Sequence, residues 1–179
     1  MVDLSVKIGD LTFQNPIQPA SGAFSWEYNE VIDLNRLGAL VAKTICREPR
    51  IGNPTPRMAE TEAGIIQSIG LPGKGIEYFL DHVVPEYAKF EPPLVVSVSS
   101  ESVEDFAALA RELTVPDVDV IECNISCPTR NTTGGNFALQ EEHTKEVMGA
   151  SRSGQSCRRT RAISFPSPWR PKKPAPMRW

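Results

Sequence analysis

The sequence predicts an α/β fold in which parallel strands alternate with helices, forming about four units of a βα-barrel that is incomplete within this chain. Three observations carry that expectation. Short apolar runs such as Ala39-Leu40-Val41-Ala42, Leu94-Val95-Val96-Ser97-Val98 and Val118-Asp119-Val120-Ile121-Glu122-Cys123 read as buried strands, and segments of helical spacing lie between them. Polar residues stand where the apolar runs stop: Ser21, Lys43 with Thr44, Ser99, and Asn124 with Cys127. Regular alternation of this kind calls for right-handed crossovers, which bring the carboxyl ends of the strands to one mouth.

Each element has its own warrant. Residues 4–14 predict a short hairpin turning at Gly9-Asp10. Residues 16–21 predict a first short strand that ends in a Ser-Gly turn. Residues 26–37 have helical spacing and stop before Gly38. The second strand, 39–42, ends at Lys43-Thr44. Residues 46–75 are rich in Gly and Pro and form a long excursion, and loops of that length are usually functional. A helix is expected over 76–87 and a third strand over 94–98. Ser102 is placed to cap the next helix, which runs to Leu113 with Asp105 at the reach-back position. The fourth strand spans 118–123, and Pro128 forbids its continuation. Residues 139–148 are again helical.

Composition bounds the function. The formal net charge of −3 gives no reason to expect nucleic acid or an anionic membrane as partner. The N-terminus lacks an apolar signal core, and no apolar run approaches the roughly 20 residues of a membrane span. The four cysteines lack paired spacing, which points to a reduced, cytoplasmic compartment. Cys123 and Cys127 form half of a metal-ligand pattern with nothing to complete it, so no metal is expected. A lone buried cysteine is usually inert packing, whereas a thiol, a hydroxyl and an amide at a strand end are placed to act on a ligand.

The Asn124-Ile125-Ser126-Cys127-Pro128 turn, followed by Gly134-Gly135, resembles the catalytic loop of class 1 dihydroorotate dehydrogenases. Three earlier segments agree in order and spacing. They are Asn15-Pro16 with Pro19-Ala20-Ser21-Gly22, Lys43-Thr44 with Arg50-Ile51-Gly52-Asn53-Pro54-Thr55-Pro56-Arg57, and Ser68-Ile69-Gly70-Leu71. The similarity covers about residues 4 to 148, and the length of the Arg50–Arg57 segment together with Cys127 is most like the 1B subgroup. The resemblance implies the N-terminal half of a (β/α)8 TIM barrel that binds FMN at its mouth and oxidises dihydroorotate to orotate in pyrimidine biosynthesis. It implies Cys127 as general base. Ala20, Ser21, Lys43, Thr44 and Asn124 would contact the flavin. Lys43, Gln67, Ile69, Gly70, Leu71, Asn124 and Thr129 would contact the substrate. It also implies a homodimer and, for the 1B subgroup, an electron-transfer subunit carrying FAD and an iron-sulfur cluster.

Three positions depart from the family pattern: Gln67, Gly73 and Thr129 each stand where the family has Asn. Gln67 moves an amide by one methylene and Thr129 keeps only a hydroxyl, and a hydrogen-bonding site loses affinity when a partner shifts. Two other readings follow. One is an FMN-dependent oxidoreductase acting on another dihydropyrimidine. The other is a truncated, non-catalytic fragment.

The fragment reading rests on the tail. The first region, 1–148, is expected to be a partial flavin-binding βα-barrel. From 149 to 179 Arg, Lys, Pro, Ser and Trp dominate and periodicity disappears, so little regular structure is expected. The tail also reads as out of frame. Ser153 to Thr160 can be encoded as TCT GGG CAA AGC TGT CGC CGA AC; shifted back one base with a leading G, this gives V-W-A-K-L-S-P-N. That string resembles the family's next strand, which carries a flavin-contacting lysine. Arg170 to Trp179 likewise permits E-A-E-E-A-G-A-D-A-V, the end of an amphipathic helix running into a strand. Half a barrel leaves two open sheet edges, so the isolated chain is expected to self-associate.

Overall fold

The computed structural model describes residues 2–22, 24–126, 137–139, 141–154 and 161–163. The chain opens with an antiparallel hairpin, β1 (Val6–Ile8) and β2 (Leu11–Phe13), turning at Gly9 with φ of 61°. The central sheet holds β3 (Leu40–Ile45), β6 (Leu94–Val98), β7 (Val120–Cys123) and β8 (Arg161–Ile163), all parallel and in that spatial order. A second hairpin, β4 (Met58–Thr61) with β5 (Gly64–Gln67), projects between β3 and the helical segment that follows it.

The helices lie on the crossovers. Residues 75–87 form a continuous helical run: α1 (Gly75–Tyr78), a π turn (Phe79–Val83) and α2 (Val84–Tyr87). Helix α3 spans Val103–Glu112. Ser102 caps it, its Oγ accepting from the Asp105 amide at 3.1 Å. Helix α4 spans Glu141–Gly154 and packs on α3.

Strand alternation sorts the core into two layers. Leu40, Ala42, Val96, Val98, Ile121 and Cys123 face the helices and pack on Phe79, Phe106, Leu109 and Val147. Val41, Val95 and Val120 point the other way, in register with one another. Phe13 of the first hairpin, with Ile8 and Leu11 beside it, closes the base of that inner face. The hairpin therefore floors the inner side of the sheet, and the polar strand ends lie at the opposite end.

Several sequence expectations hold. The strand at 94–98 is observed with those bounds, and the capped helix after Ser102 ends one residue earlier than expected. Others need correction. Residues 16–21 are extended but form no ladder. Gly38 donates to the Ile17 carbonyl at 2.8 Å and Thr44 to the Ser21 carbonyl at 2.9 Å, whereas Pro19, lying between them, has no N–H to return a bond. The single helix expected over 26–37 is two short 3₁₀ turns, Trp26–Glu30 and Leu34–Arg36. Polar side chains break it: Asn29 Oδ1 accepts from the Leu34 amide at 3.4 Å and Asp33 Oδ1 from the Asn35 amide at 3.0 Å. The π turn lies just before Pro85, which cannot donate to the Asp81 carbonyl; Val84 N–H reaches back to Phe79 instead. The excursion over 46–75 contains the β4–β5 hairpin. Beyond residue 148, α4 continues to Gly154 and residues 161–163 pair with β7, so regular structure reaches further than composition suggested.

Phe106 is fully buried and meets Phe137 edge-on, with ring centroids 5.9 Å apart. Phe106→Ala is expected to cost about 3–5 kcal/mol in denaturant unfolding, as large-to-small core substitutions do. A loss under about 1 kcal/mol would contradict the packing of α3 on the sheet.

Candidate functional site at the strand ends

The site begins with an irregularity in pairing. Ala42 sits opposite Val96, and the next register pair is Ile45 with Val98, so β3 carries one extra residue opposite Ser97. Such a bulge re-aims the side chains beside it. Thr44 is buried, and its Oγ1 lies 2.9 Å from Ser97 Oγ, itself buried on β6. Lys43, flanked by buried neighbours on the strand, is exposed. Charged groups are costly to bury, and the extra residue leaves the ammonium in solvent at the strand end.

Lys43 and Thr44 border a cleft of about 250 Å³ walled by Phe24, Trp26, Lys74 and Tyr78. The walls are mainly apolar, and a second ammonium is present: Lys74 Nζ lies 4.0 Å from the centre of the Tyr78 ring. Tyr87 at the cleft's base is pushed up to about 12, first by burial, against a bond from the Trp26 backbone. The phenol is therefore neutral at physiological pH. The cleft offers aromatic surface and cationic points, a combination suited to a flat, electron-rich or anionic ligand.

The Gln67–Leu71 turn is built separately and held by the Arg50–Arg57 loop. Gln67 Oε1 accepts from the Ile69 amide at 3.2 Å, and the Ile69 carbonyl accepts from Asn53 N–H at 3.0 Å. Asn53 Nδ2 donates to Ser68 Oγ at 2.6 Å and to the Ser68 carbonyl at 3.2 Å. Arg57 fixes Asn53 in turn, Nε donating to its carbonyl at 2.6 Å. Gly70 has φ of 83°, and a Cβ there would lie 2.5 Å from Asn53 N, so this position requires glycine. Leu71 adopts a positive φ of 50°. Arg50 and Gly73 then exchange backbone bonds of 2.7 and 2.9 Å, which deliver the chain to Lys74 and the cleft.

At the end of β7, Asn124 is half-buried. Its backbone N–H donates to the Val98 carbonyl at 2.8 Å, and its side-chain Oδ1 accepts from Ser126 Oγ at 3.3 Å. The preceding Cys123 faces the helices. Burial pushes its thiol up, partly offset by its bond to Ser151 at 3.5 Å, so it is a neutral packing group. Cys127 and Thr129 lie outside the described residues.

Lys43 and Thr44 thus share one cleft with the segment at Gly73–Gly75. Gln67, Ile69, Gly70 and Leu71 lie on the adjoining turn, and Ala20 and Ser21 on the extended segment beside β3, Ser21 through its carbonyl. Ser97, Asn53 and Arg57 were given no role from sequence, although the last two lie inside the Arg50–Arg57 segment. Arg47 was also missed. It clamps the post-β3 loop to α3 by bonds to Asp105 and, at 2.6 Å, to Glu112. Among the described residues no group of His, Cys, Asp and Glu could hold a metal ion, and no helix is long and apolar enough to cross a membrane.

Comparison with known proteins adds three findings. The family model described as dihydroorotate dehydrogenase matches residues 3–157. The chain is similar to the dihydroorotate dehydrogenase B (NAD(+)) catalytic subunit of Desulforamulus reducens, 42% identical over 84% of this chain and 52% of the relative. It is also similar to that of Carboxydothermus hydrogenoformans, 40% identical over 84% of this chain and 50% of the relative. The chain therefore spans about half the length of the curated relatives it matches. Among solved structures, a DHODH of Eimeria tenella in complex with ferulenol aligns with a TM-score of 0.63 and 25% identity, covering 85% of this chain and 44% of that one.

Two outcomes test this geometry. Gly70→Ala is expected to loosen the turn and cost about 1–3 kcal/mol of local stability, seen as faster hydrogen exchange at the Asn53 amide. Unchanged exchange would contradict the clamp. The Tyr87 phenol has its folded value raised from 10.0 to about 12, so its stabilisation is present below pH 10 and is lost as pH rises towards 12. Tyrosinate absorbance should show one of the three tyrosines titrating late and with unfolding, and Tyr87→Phe should remove that step. A Tyr87 phenol that ionises near pH 10 in the folded chain would refute the burial.

Proposed function

This chain belongs to the dihydroorotate dehydrogenase family, and we propose that it forms the first half of a flavoenzyme that oxidises dihydroorotate to orotate. The observation that carries the reading is the bulge at Lys43-Thr44, which frees one lysine beside an aromatic-walled cleft and buries its neighbour on Ser97. The donor set fits one edge of FMN: an exposed ammonium, the half-buried amide of Asn124 and the polar segment at Ala20-Ser21. FMN supplies the hydride acceptor when bound. Lys43 and Asn124 would orient flavin and substrate, with Thr44 holding the strand end in shape. The Gln67–Leu71 turn and Thr129 would receive the pyrimidine ring and its carboxylate. Cys127 would take the proton from the ring carbon next to the carboxylate-bearing carbon, from which the hydride leaves.

The relatives are named as catalytic subunits that use NAD(+), which supports a separate electron-transfer subunit. That this subunit carries FAD and an iron-sulfur cluster, and that the chain works as a cytoplasmic homodimer, are part of the same proposal and follow from the 1B resemblance alone. The substitutions Gln67, Gly73 and Thr129 favour a second reading, in which the same site accepts another dihydropyrimidine; turnover of dihydrouracil without dihydroorotate would select it. A third reading, a non-catalytic fragment, is motivated by the chain's share of its relatives' length. We also propose that residues 149–179 are read from a shifted frame, and that resequencing would find a one-base slip, with or without a small deletion, between about codons 146 and 153. A downstream frame without barrel-like coding potential would remove that idea.

The catalytic test uses a frame-restored protein. Cys127→Ser should slow flavin reduction by dihydroorotate at neutral pH roughly 10²-fold or more with flavin still bound, because a serine hydroxyl yields its proton far less readily than a thiol. Gln67→Asn with Thr129→Asn should tighten orotate binding. A reductive half-reaction unaltered by Cys127→Ser across pH would show that the base lies elsewhere.

A further inference from the structure

The cleft beside Lys43 reaches further than the strand end. It runs beneath the helical segment 75–87, where Ala42, Ile45, Phe79, Val83 and Tyr87 line it. All five belong to the layer packed between the sheet and the helices. The inner layer of Phe13, Val41, Val95 and Val120 takes no part in its wall. Nor do Ala20, Ser21 and Asn124, the positions proposed above for the flavin edge. Successive strand residues face opposite sides of a sheet, so a molecule in the deep part of this cleft lies behind β3 and is screened from the inner face by the strand itself.

The charge of the cleft is one-sided. Among the described residues its wall carries two lysines, Lys43 and Lys74, and no carboxylate. Glu27, next to the rim, accepts from Ser25 Oγ at 3.0 Å. Tyr87 adds no negative charge, because burial keeps its phenol neutral at physiological pH. The groove at the start of α3 is the contrast: Arg47 and Arg50 line it together with Glu48, Glu101 and Asp105, so its charges answer one another.

Lys74 is also held in place. Its Nζ lies 4.0 Å from the centre of the Tyr78 ring, and Tyr78 stacks on His82 with ring centroids 4.4 Å apart and planes within 6°. The three residues follow one another at four-residue intervals, and two partners so near one ring must take its opposite faces. A cation over a ring keeps its N–H donors for an acceptor. Fixing a flexible lysine beforehand removes part of the entropy that binding would otherwise cost. We propose that this cleft is a second small-molecule site, separate from the flavin and dihydroorotate positions, for a flat aromatic body that bears one carboxylate. The ring takes the aromatic walls at Trp26, Tyr78 and Phe79, and the carboxylate meets Lys74 at the rim. The site needs only the fold of β3 and the 75–87 segment, and it stands or falls apart from the proposed chemistry.

The test titrates the 179-residue chain with 2-naphthoate in a calorimeter, and with the uncharged 2-naphthamide beside it. One naphthoate per chain is expected, with the amide at least tenfold weaker. Lys74→Met should weaken naphthoate at least tenfold and leave the amide unchanged, whereas Tyr78→Ala should weaken both. Both residues are exposed, and circular dichroism checks that each variant is folded. Lys7→Met, at an exposed lysine of the first hairpin, and Asn124→Ala should leave naphthoate binding as it was. No binding, equal binding of the acid and the amide, or indifference to Lys74→Met would overturn the proposal. So would a loss on Asn124→Ala, which would put the probe at the flavin and substrate positions instead.

Discussion

One extra residue in β3 governs how the strand ends are used. Below it, Val41, Val95 and Val120 stand in register and form an apolar layer over Phe13, which fixes the strands parallel and level with one another. Had that pairing continued unbroken, the side chains of Lys43 and Thr44 would have followed the alternation of the strand below them. The offset between Ala42 and Ile45 interrupts it. Thr44 satisfies its hydroxyl against Ser97 in a buried site, and Lys43 is left with its charge in solvent at the rim of a cleft. A buried hydroxyl without a partner costs several times what a paired one returns, so the Thr44–Ser97 contact also resists a slip of β3 against β6.

The second structural device is the way loops are fastened at that end of the sheet. The Arg50–Arg57 loop and the Gln67–Gly73 turn are clipped together by backbone bonds at Arg50 and Asn53 and by the Asn53 side chain, with the Arg57 side chain bracing Asn53 from within the loop. Arg47 ties the base of that loop to Asp105 and Glu112 of α3, and Asp105 also accepts from Ser100 at 2.7 Å. A turn otherwise free to move is thus anchored to the β6–α3 corner. The β4–β5 hairpin beyond the clamp is exposed on both faces, and a two-stranded ribbon of that kind draws its order from its base.

The parts most legible in sequence were those where burial and local chemistry agree. Leu94–Val98 is a short valine-rich buried run bounded by prolines and serines, and Ser102 with Asp105 marks a helix start whatever the tertiary context. The failures have equally local causes. Pro19 removes a donor from what patterning alone treats as a strand, and Asn29 and Asp33 compete for amides that a continuous helix would have used. The β4–β5 hairpin gave no alternating signal because neither of its faces is buried, although Ile65-Ile66 after Gly64 was a faint cue. At the site, the polar strand ends could be read directly. The bulge that separates the roles of Lys43 and Thr44, and the partnership of Asn53 with the Gly70 turn, depend on register and positive φ, which residue types alone do not disclose.

The most direct measurement of the central claim is a double-mutant cycle on the chain itself, combining Thr44→Val with Ser97→Ala and following unfolding by denaturant. If the bulge holds these two hydroxyls against each other, the pair should show a coupling of about 0.5–1.5 kcal/mol. Effects that add to within about 0.3 kcal/mol would mean that the hydroxyls do not meet, and that β3 carries its strand-end residues in some other register.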